Sequence, residues 1–393
     1  MTTDVAARVA AARGGRLRRV RVTLRVALRM MLHDKSKLVG TTLGVVFAVV
    51  LAAQQLGVLF GLLQKNTMFV DNAGADLWLV PPGTTQASPG QRMSTALLDQ
   101  ARATPGVASA SALIMVGTSV SKPGGGSEAI TLVGFELATA LGGPWNVVAG
   151  DVAALAGPDA VFFEDAQREN FGGLNLGSVR EVGGQQVRAV GFTWGLQPFG
   201  PPYAFADLDL ARELGDVPTD ELSFVLIKLA PGVDRAAVAA DLARRCPTAT
   251  VLTADGFHDA IVNALLREQL GITFGTSTAF GLIIGFIIVA LSMFSAVIDN
   301  LREFGTLKAI GLTSWDLALM LLVQSLVYAL IGSLIGLGLV GLMSAGIRSA
   351  NLVVIVPTPL IIATPIIMSG LCMLASVLAM RRVRRLEPGM VFR

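Results

Sequence analysis

Two histidines and two cysteines supply all the imidazole and thiol groups of this 393-residue chain. His33 and His258 lie far apart, and so do Cys246 and Cys372, so no set of zinc ligands and no disulfide framework is expected. The carboxylates are scattered without metal spacing, and no serine has a histidine placed to complete a triad. His258 falls on an apolar-rich helical segment and is expected to be a packing or surface residue. The chain is therefore expected to be no enzyme by itself and to hold no cofactor. The stretch that concentrates polar side chains at useful spacing is Asp299–Asp316, DNLREFGTLKAIGLTSWD. Residues 300–309 predict an amphipathic helix, with Arg302, Glu303 and Lys308 on one side and Leu301, Phe304, Leu307 and Ile310 on the other. Gly311 is a plausible stop, and Thr313 with Ser314 can cap the next helix. A rigid charged helix of this kind suits docking to a soluble partner; a plain structural loop satisfies the same spacing.

The neighbours of this island fix its setting. Ile272–Ile298 is 27 residues without Asp, Glu, Lys, Arg or His, and Leu317–Ile347 is a second apolar run. At 1.5 Å per residue either is long enough to cross about 30 Å of hydrocarbon. Across the chain 53% of residues are hydrophobic, 15% are charged and the mean hydropathy is +0.64. A soluble domain carries nearer 25% charged residues, so these values describe an integral membrane protein with a soluble part. The pI of 9.1 does not point to nucleic acid, because the charge is segregated. Residues 64–271 hold 13 Lys and Arg against 22 Asp and Glu, which leaves 18 against 6 elsewhere.

The fold class these values imply is an α-helical integral membrane protein with four transmembrane helices and a large α+β extracytoplasmic domain between the first and second. Its expected parts are a basic amphipathic helix in 1–37, spans at 38–63, 272–298, 317–347 and 352–380, the extracytoplasmic domain at 64–271, the cytoplasmic island at 299–316, a short outer turn at 348–351 and a basic tail at 381–393. Arg18, Arg21, Arg25 and Arg29 fall at helical spacing, with Leu17, Val20, Leu24, Leu28 and Met31 opposite, which predicts a helix along an anionic lipid surface. A cleaved signal peptide does not fit, since the first apolar run is 26 residues long. Basic flanks at the N-terminus, in the island and at the C-terminus place all three in the cytoplasm. The expected location is the inner (cytoplasmic) membrane of the cell.

Within the domain, Met93–Ala103 and Val233–Arg245 predict helices. Val107–Val120, Ala129–Gly134, Ala160–Phe163, Val179–Val182, Val187–Phe192 and Leu222–Leu229 predict strands, with a hairpin around Gly183–Gln186. In the spans, Gln54, Gln55 and Gln324 are polar residues at depth, suited to bonding a neighbouring helix or a transported molecule. Gly332-x-x-x-Gly336 is a candidate helix-packing face. Pro357, Pro359 and Pro365 predict an irregular start or a kink in the fourth span.

Arg302-Glu303-Phe304-Gly305-Thr306-Leu307-Lys308-Ala309-Ile310-Gly311 resembles the R-x-E-h-G-x-L-K-A-h-G signature of FtsX/MacB-type ABC permeases, with Arg and Glu adjacent here. One span, a large exterior domain and three further spans is that family's layout, so the resemblance extends over most of the chain. Leu176-Gly177-Ser178, ahead of a hairpin ending Arg188-Ala189-Val190-Gly191, is similar to its exterior domain. The ending Arg381-Arg382-Val383-Arg384-Arg385-Leu386-Glu387-Pro388 resembles the tail of its DevC-like branch. The resemblance implies that the island is a coupling helix docked on a separate ATPase, with the role carried by Arg302, Glu303, Gly305, Leu307, Lys308, Ala309 and Gly311. It also implies two ATPase copies holding ATP and Mg, and a second permease copy forming a homodimer. In some relatives a periplasmic adaptor and an outer-membrane channel complete the assembly. The chain has no G-x-x-x-x-G-K-[ST] loop, so ATP hydrolysis is expected of the partner. The implied function is export of a hydrophobic or amphipathic substrate. The alternatives are a mechanotransmission protein that switches an exterior partner such as a cell-wall hydrolase, and a haem-exporting permease for which Met68, Met343 or Tyr328 would supply ligands.

Overall fold

The structure, a computed structural model, describes residues 24–198, 200–267, 269–299, 301–346 and 354–384, and at 269, 296, 301, 302, 304, 345, 346 and 380–384 the backbone alone. The expected basic helix before residue 24, the turn at 348–351 and the tail beyond 384 lie outside the described residues. The chain divides into two compact units, one of residues through Leu59, Thr273–Ile347 and from Val354 on, the other of Phe60–Ile272 with Arg348–Val353.

The first unit is helical. Residues 24–33 form α1, and Asp34 breaks the run before α2, Lys35–Asn72. The Asp34 carboxylate accepts the Lys37 backbone N–H at 3.3 Å, an N-cap bond that starts the new helix. Next come α7, Gln269–Asp299, α8, Leu301–Ala309, α9, Ser314–Gly346, and α10, Thr358–Arg384. Four of these, α2, α7, α9 and α10, are long and apolar enough to cross a membrane. The helices overrun the expected spans wherever polar residues still permit helix. The fourth does the opposite: residues 354–357 are not helical and α10 begins at Thr358, because Pro357 and Pro359 have no backbone N–H to give a preceding turn. Pro365 lies inside α10.

These helices meet through small residues. A Cβ on Gly332 would come within 2.5 Å of Val45, and one on Gly336 within 2.7 Å of Val49, so α9 rides directly on α2. On a second face of α2, Gly44 faces Ile288 and Ala48 faces Gly285, both from α7. Large apolar residues point outward instead: Leu334 is 77% exposed and Phe280 65%. In lipid an outward leucine loses nothing, so close backbone approach is what holds the bundle.

The second unit is a ten-stranded mixed sheet in the order β12-β1-β11-β3-β4-β9-β6-β8-β5, with β7 pairing β3 and β8. Its strands are β1 (Leu77–Val80), β3 (Val107–Ser121), β4 (Ser127–Phe135), β5 (Val147–Gly150), β6 (Ala160–Glu164), β7 (Val179–Val182), β8 (Gln185–Thr193), β9 (Tyr203–Asp207), β11 (Phe224–Leu229) and β12 (Thr250–Thr253). Gly183 and Gly184, both at positive φ, make a two-residue turn between β7 and β8, so Gln185 and Gln186 belong to the strand rather than to the turn. Met93 and Ser94 pair as β2 with β10, Glu221–Leu222, so the helix expected from Met93 begins only at Ala96, as α3, Ala96–Arg102.

The alternation of the strands gives the sheet two apolar faces. On one, Ala110, Ala112, Ile114, Val116 and Val120 of β3 meet Leu97 and Leu98 of α3, Leu210 and Leu214 of α4 (Leu208–Leu214), and Val238 and Leu242 of α5 (Arg235–Arg245). On the other, Trp78 meets Phe257 of α6, Ala254–Arg267, edge-on at 5.3 Å, and Phe224 lies tilted to the same ring at 6.5 Å. Phe69, near the end of α2, joins the same cluster at 6.2 Å from Trp78 and 5.4 Å from Tyr203. A domain buried on both faces in this way needs helices on each, and it recruits the ends of helices that also contribute spans.

Candidate functional site

The island forms the expected helix, α8, closed by a glycine turn and followed by the cap of α9. At the C-terminal end of α8, Gly311 stands at φ +106°, the Leu312 N–H donates to Leu307 O at 3.1 Å, and the Gly311 N–H donates to Lys308 O at 3.1 Å. This six-to-one closure requires the left-handed residue that glycine supplies without strain. Leu307 and Leu312, which bracket the turn, both pack against the buried core of the bundle. Thr313 then caps α9: its N–H and hydroxyl donate to the Asp316 carboxylate at 2.9 and 2.7 Å, while the Asp316 N–H donates back at 3.3 Å. α8 is thus closed at its C-terminus and followed at once by the capped start of α9.

Of the residues expected to dock a partner, Glu303 and Ala309 are exposed, Leu307 and Lys308 half-buried and Gly305 buried. The side chain of Arg302 lies outside the described part. Ile310, placed on the apolar face by the sequence pattern, is 75% exposed, and Trp315 beside it is 72% exposed. The helical pattern singles out neither for docking, although a tryptophan in a polar hairpin is the one signal that could flag it.

A polar knot holds the segment before α8. Lys37 of α2 bridges Asp34 at 2.7 Å and Asp299, the last residue of α7, at 3.1 Å; Ser295 donates to Asp299 at 3.1 Å. The Lys37 side chain keeps the Asp34 carboxyl below the usual carboxylate range. α1 is pinned as well. Ala27 and Met31 are buried in the bundle core, and the buried Gln324 amide of α9 donates to Ala27 O at 3.1 Å. Gln324 thus meets protein backbone. Gln54 and Gln55 are half-buried on α2. Between α1 and α8 a cleft of about 460 Å³ is lined by Arg29, Met30, His33, Asp34 and Glu303.

The domain holds the remaining titratable clusters. His258 Nδ1 lies 2.8 Å from the Asp71 carboxylate, at a cavity of about 450 Å³ that Asp255, Asp259 and Lys228 also line. Glu164 is fully buried, and its oxygens accept the N–H groups of Gly195 at 2.6 Å and Leu196 at 2.9 Å and the Thr193 hydroxyl at 3.3 Å. Burial pushes its carboxyl above the usual range, and those donors pull it back only in part. Lys65 fastens the same loop by donating to Gly195 O at 2.6 Å. With both oxygens occupied, Glu164 holds a loop and has no free position for proton transfer. Among the described residues no group of three His, Cys, Asp or Glu is placed to hold a metal ion. Met68 and Tyr328 are buried, and Met343 is exposed on α9.

Comparison with known proteins agrees with this division of the chain. The family described as MacB-like periplasmic core domain matches residues 38–245, and the one described as FtsX-like permease C-terminal matches residues 275–388. Two uncharacterized ABC transporter permeases of Mycobacterium tuberculosis are each 26% identical, over 375 and 376 residues, covering 93% of this chain and 98% of the relative. Among solved structures, the periplasmic region of MacB from Actinobacillus actinomycetemcomitans aligns at 10% identity and a TM-score of 0.38, over 50% of this chain and 98% of that one. The extracellular domain of the ABC-type transporter YknZ from Gram-positive bacteria aligns at 15% identity and a TM-score of 0.33, over 46% of this chain and 99% of that one. With four apolar helices and a large α+β domain between the first and second, the chain belongs to the FtsX/MacB-type permeases of ABC transporters.

Proposed function

We propose that this permease couples a separate ATPase to movement of its extracytoplasmic domain, and that α8 is the docking helix. The observation that carries the reading is the C-terminal closure of α8 at Gly311, followed at once by the Thr313–Asp316 cap of α9, with Glu303 exposed. A segment that merely linked two spans would need neither the glycine closure nor the cap. ATP and Mg sit on the partner, and Glu303, Lys308 and the exposed Ile310 face it across the island. Arg302, Gly305, Leu307, Ala309 and Gly311 share the docking role that the family resemblance gives the segment.

In the full assembly two permeases and two ATPases act together in the cytoplasmic membrane, with both termini of each permease inside. The cargo is hydrophobic or amphipathic, and its export draws on a periplasmic adaptor and outer-membrane channel where an outer membrane is present. The test is copurification of the ATPase with wild type and with Glu303→Lys, together with ATP turnover of the complex. Binding and stimulation are both expected to fall in the variant. Unchanged binding and turnover would reduce α8 to a connecting loop.

A further inference from the structure

The charged face of α1 is left without a role by the docking of α8 alone. Arg25, Arg29 and His33 recur every fourth residue, so they form one row along the helix, and all three are exposed. On the far side of α1, Ala27 and Met31 are buried in protein and the Gln324 amide holds the Ala27 carbonyl, while Leu24 and Leu32 stay exposed. A helix held by lipid alone would turn its whole apolar side to the acyl chains. This one is fastened to the bundle along one edge, with its basic row outside that contact.

That row forms one wall of a cleft. Arg29 and His33 line about 460 Å³ together with Met30, Asp34 and Glu303 of α8. Asp34 is already bridged to Lys37, so its charge is satisfied from behind. We infer that this cleft is the second half of the ATPase-docking surface, with Arg29 and His33 binding an acidic segment of the ATPase while Glu303 takes a basic one. The inference rests on the reading of α8 as the docking helix. Anionic lipid is the other occupant that a basic row would suit, and the cleft argues against it. Glu303 stands on the facing wall, where a phosphate drawn to Arg29 would meet a carboxylate, whereas a protein segment with both signs of charge satisfies both walls. The arrangement also explains why α1 needs a polar pin: a docking wall must hold its position when pushed.

The test uses the full chain in nanodiscs of purely zwitterionic lipid, titrated with its cognate ATPase. Arg29→Glu is expected to weaken binding about tenfold, with the loss concentrated in the association rate at low salt. Arg29→Lys is expected to recover part of it, since the charge returns without the guanidinium fork. Lys308→Glu, on α8 but outside the cleft lining, serves as the separate control on α8. If Lys308→Glu weakens binding and Arg29→Glu leaves it unchanged, α8 docks alone and the cleft inference fails. If Arg29→Glu matters only in discs containing anionic lipid, the row reads headgroups and the inference fails likewise. If neither variant changes binding, the reading of α8 fails first and the cleft falls with it.

Discussion

The two units of this molecule differ in what makes their closest contacts and in what they leave outside. The domain hides its largest side chains, including Trp78, Phe135, Phe162, Phe163 and Phe205, and leaves polar ones at the surface. The helical unit hides glycine and alanine against Val45, Val49 and Ile288, and turns Phe280, Leu291, Leu334 and Leu342 outward. In water, burying a large apolar side chain is the main favourable term. In lipid that term vanishes between helices, and contact depends on how closely two backbones approach. One chain therefore carries two packing codes, and a substitution that is severe under one is mild under the other.

The largest effect is expected from Phe162→Ala, which empties a fully buried site in the domain. It should cost about 3–5 kcal/mol, read as a lowered denaturant midpoint of the full chain in detergent, while Leu334→Ala on the outer face of α9 should stay within about 0.5 kcal/mol. Comparable losses for the two would break the contrast. An intermediate effect is expected in the bundle from Gly332→Leu, whose side chain meets Val45; overpacking should cost about 1–3 kcal/mol. Gly338→Leu, with nothing within 4 Å of its Cβ position, should be nearly silent in the same denaturant titration.

The smallest effect sharpens the polar side of the comparison. Burial tends to raise the Asp76 carboxyl, but the Leu229 N–H at 2.9 Å and Lys228 at 3.1 Å outweigh it and hold the group below the usual carboxylate range. Its contribution is therefore present above the ordinary carboxylate pKa and is lost as pH falls through the lowered value. Asp76→Asn should lower the thermal midpoint at neutral pH, and the gap to wild type should close on acidification. Gln324→Leu, which removes the uncharged bond to Ala27, should lower the midpoint by the same amount at both pH values.

Legibility in the sequence divides along the same line. The spans can be read because lipid demands long uninterrupted apolar runs, and Gly332 and Gly336 fall against α2 through a spacing visible in one dimension. In the domain, β3 and the β7–β8 turn have plain period-two and glycine signals. The short strands β1, β5, β9 and β12 do not, because four or five residues carry too few alternations to separate strand from helix. The island can be read as a helix from its spacing. Its cleft cannot, because Arg29 and Glu303 meet only in the fold, and Ile310 looks buried on a helical wheel that ignores the turn at Gly311. The start of α10 lies at 358 where hydropathy alone places it at 352, since hydropathy does not see that Pro357 and Pro359 withhold donors.

One strand also ties the domain together mechanically. β3 is 15 residues, about 50 Å of extended chain, and its same-facing residues enter one apolar cluster at Ala110 and Ala112 and another at Ile114, Val116 and Val120. Along that length it is clasped by β11, β4 and β7. β11 holds its first half, through Leu113, and β4 its second, from Leu113 to Ser121, with β7 touching at Val120, like a tendon sewn into two muscles. A load on one half of the domain therefore has a continuous strand by which to reach the other.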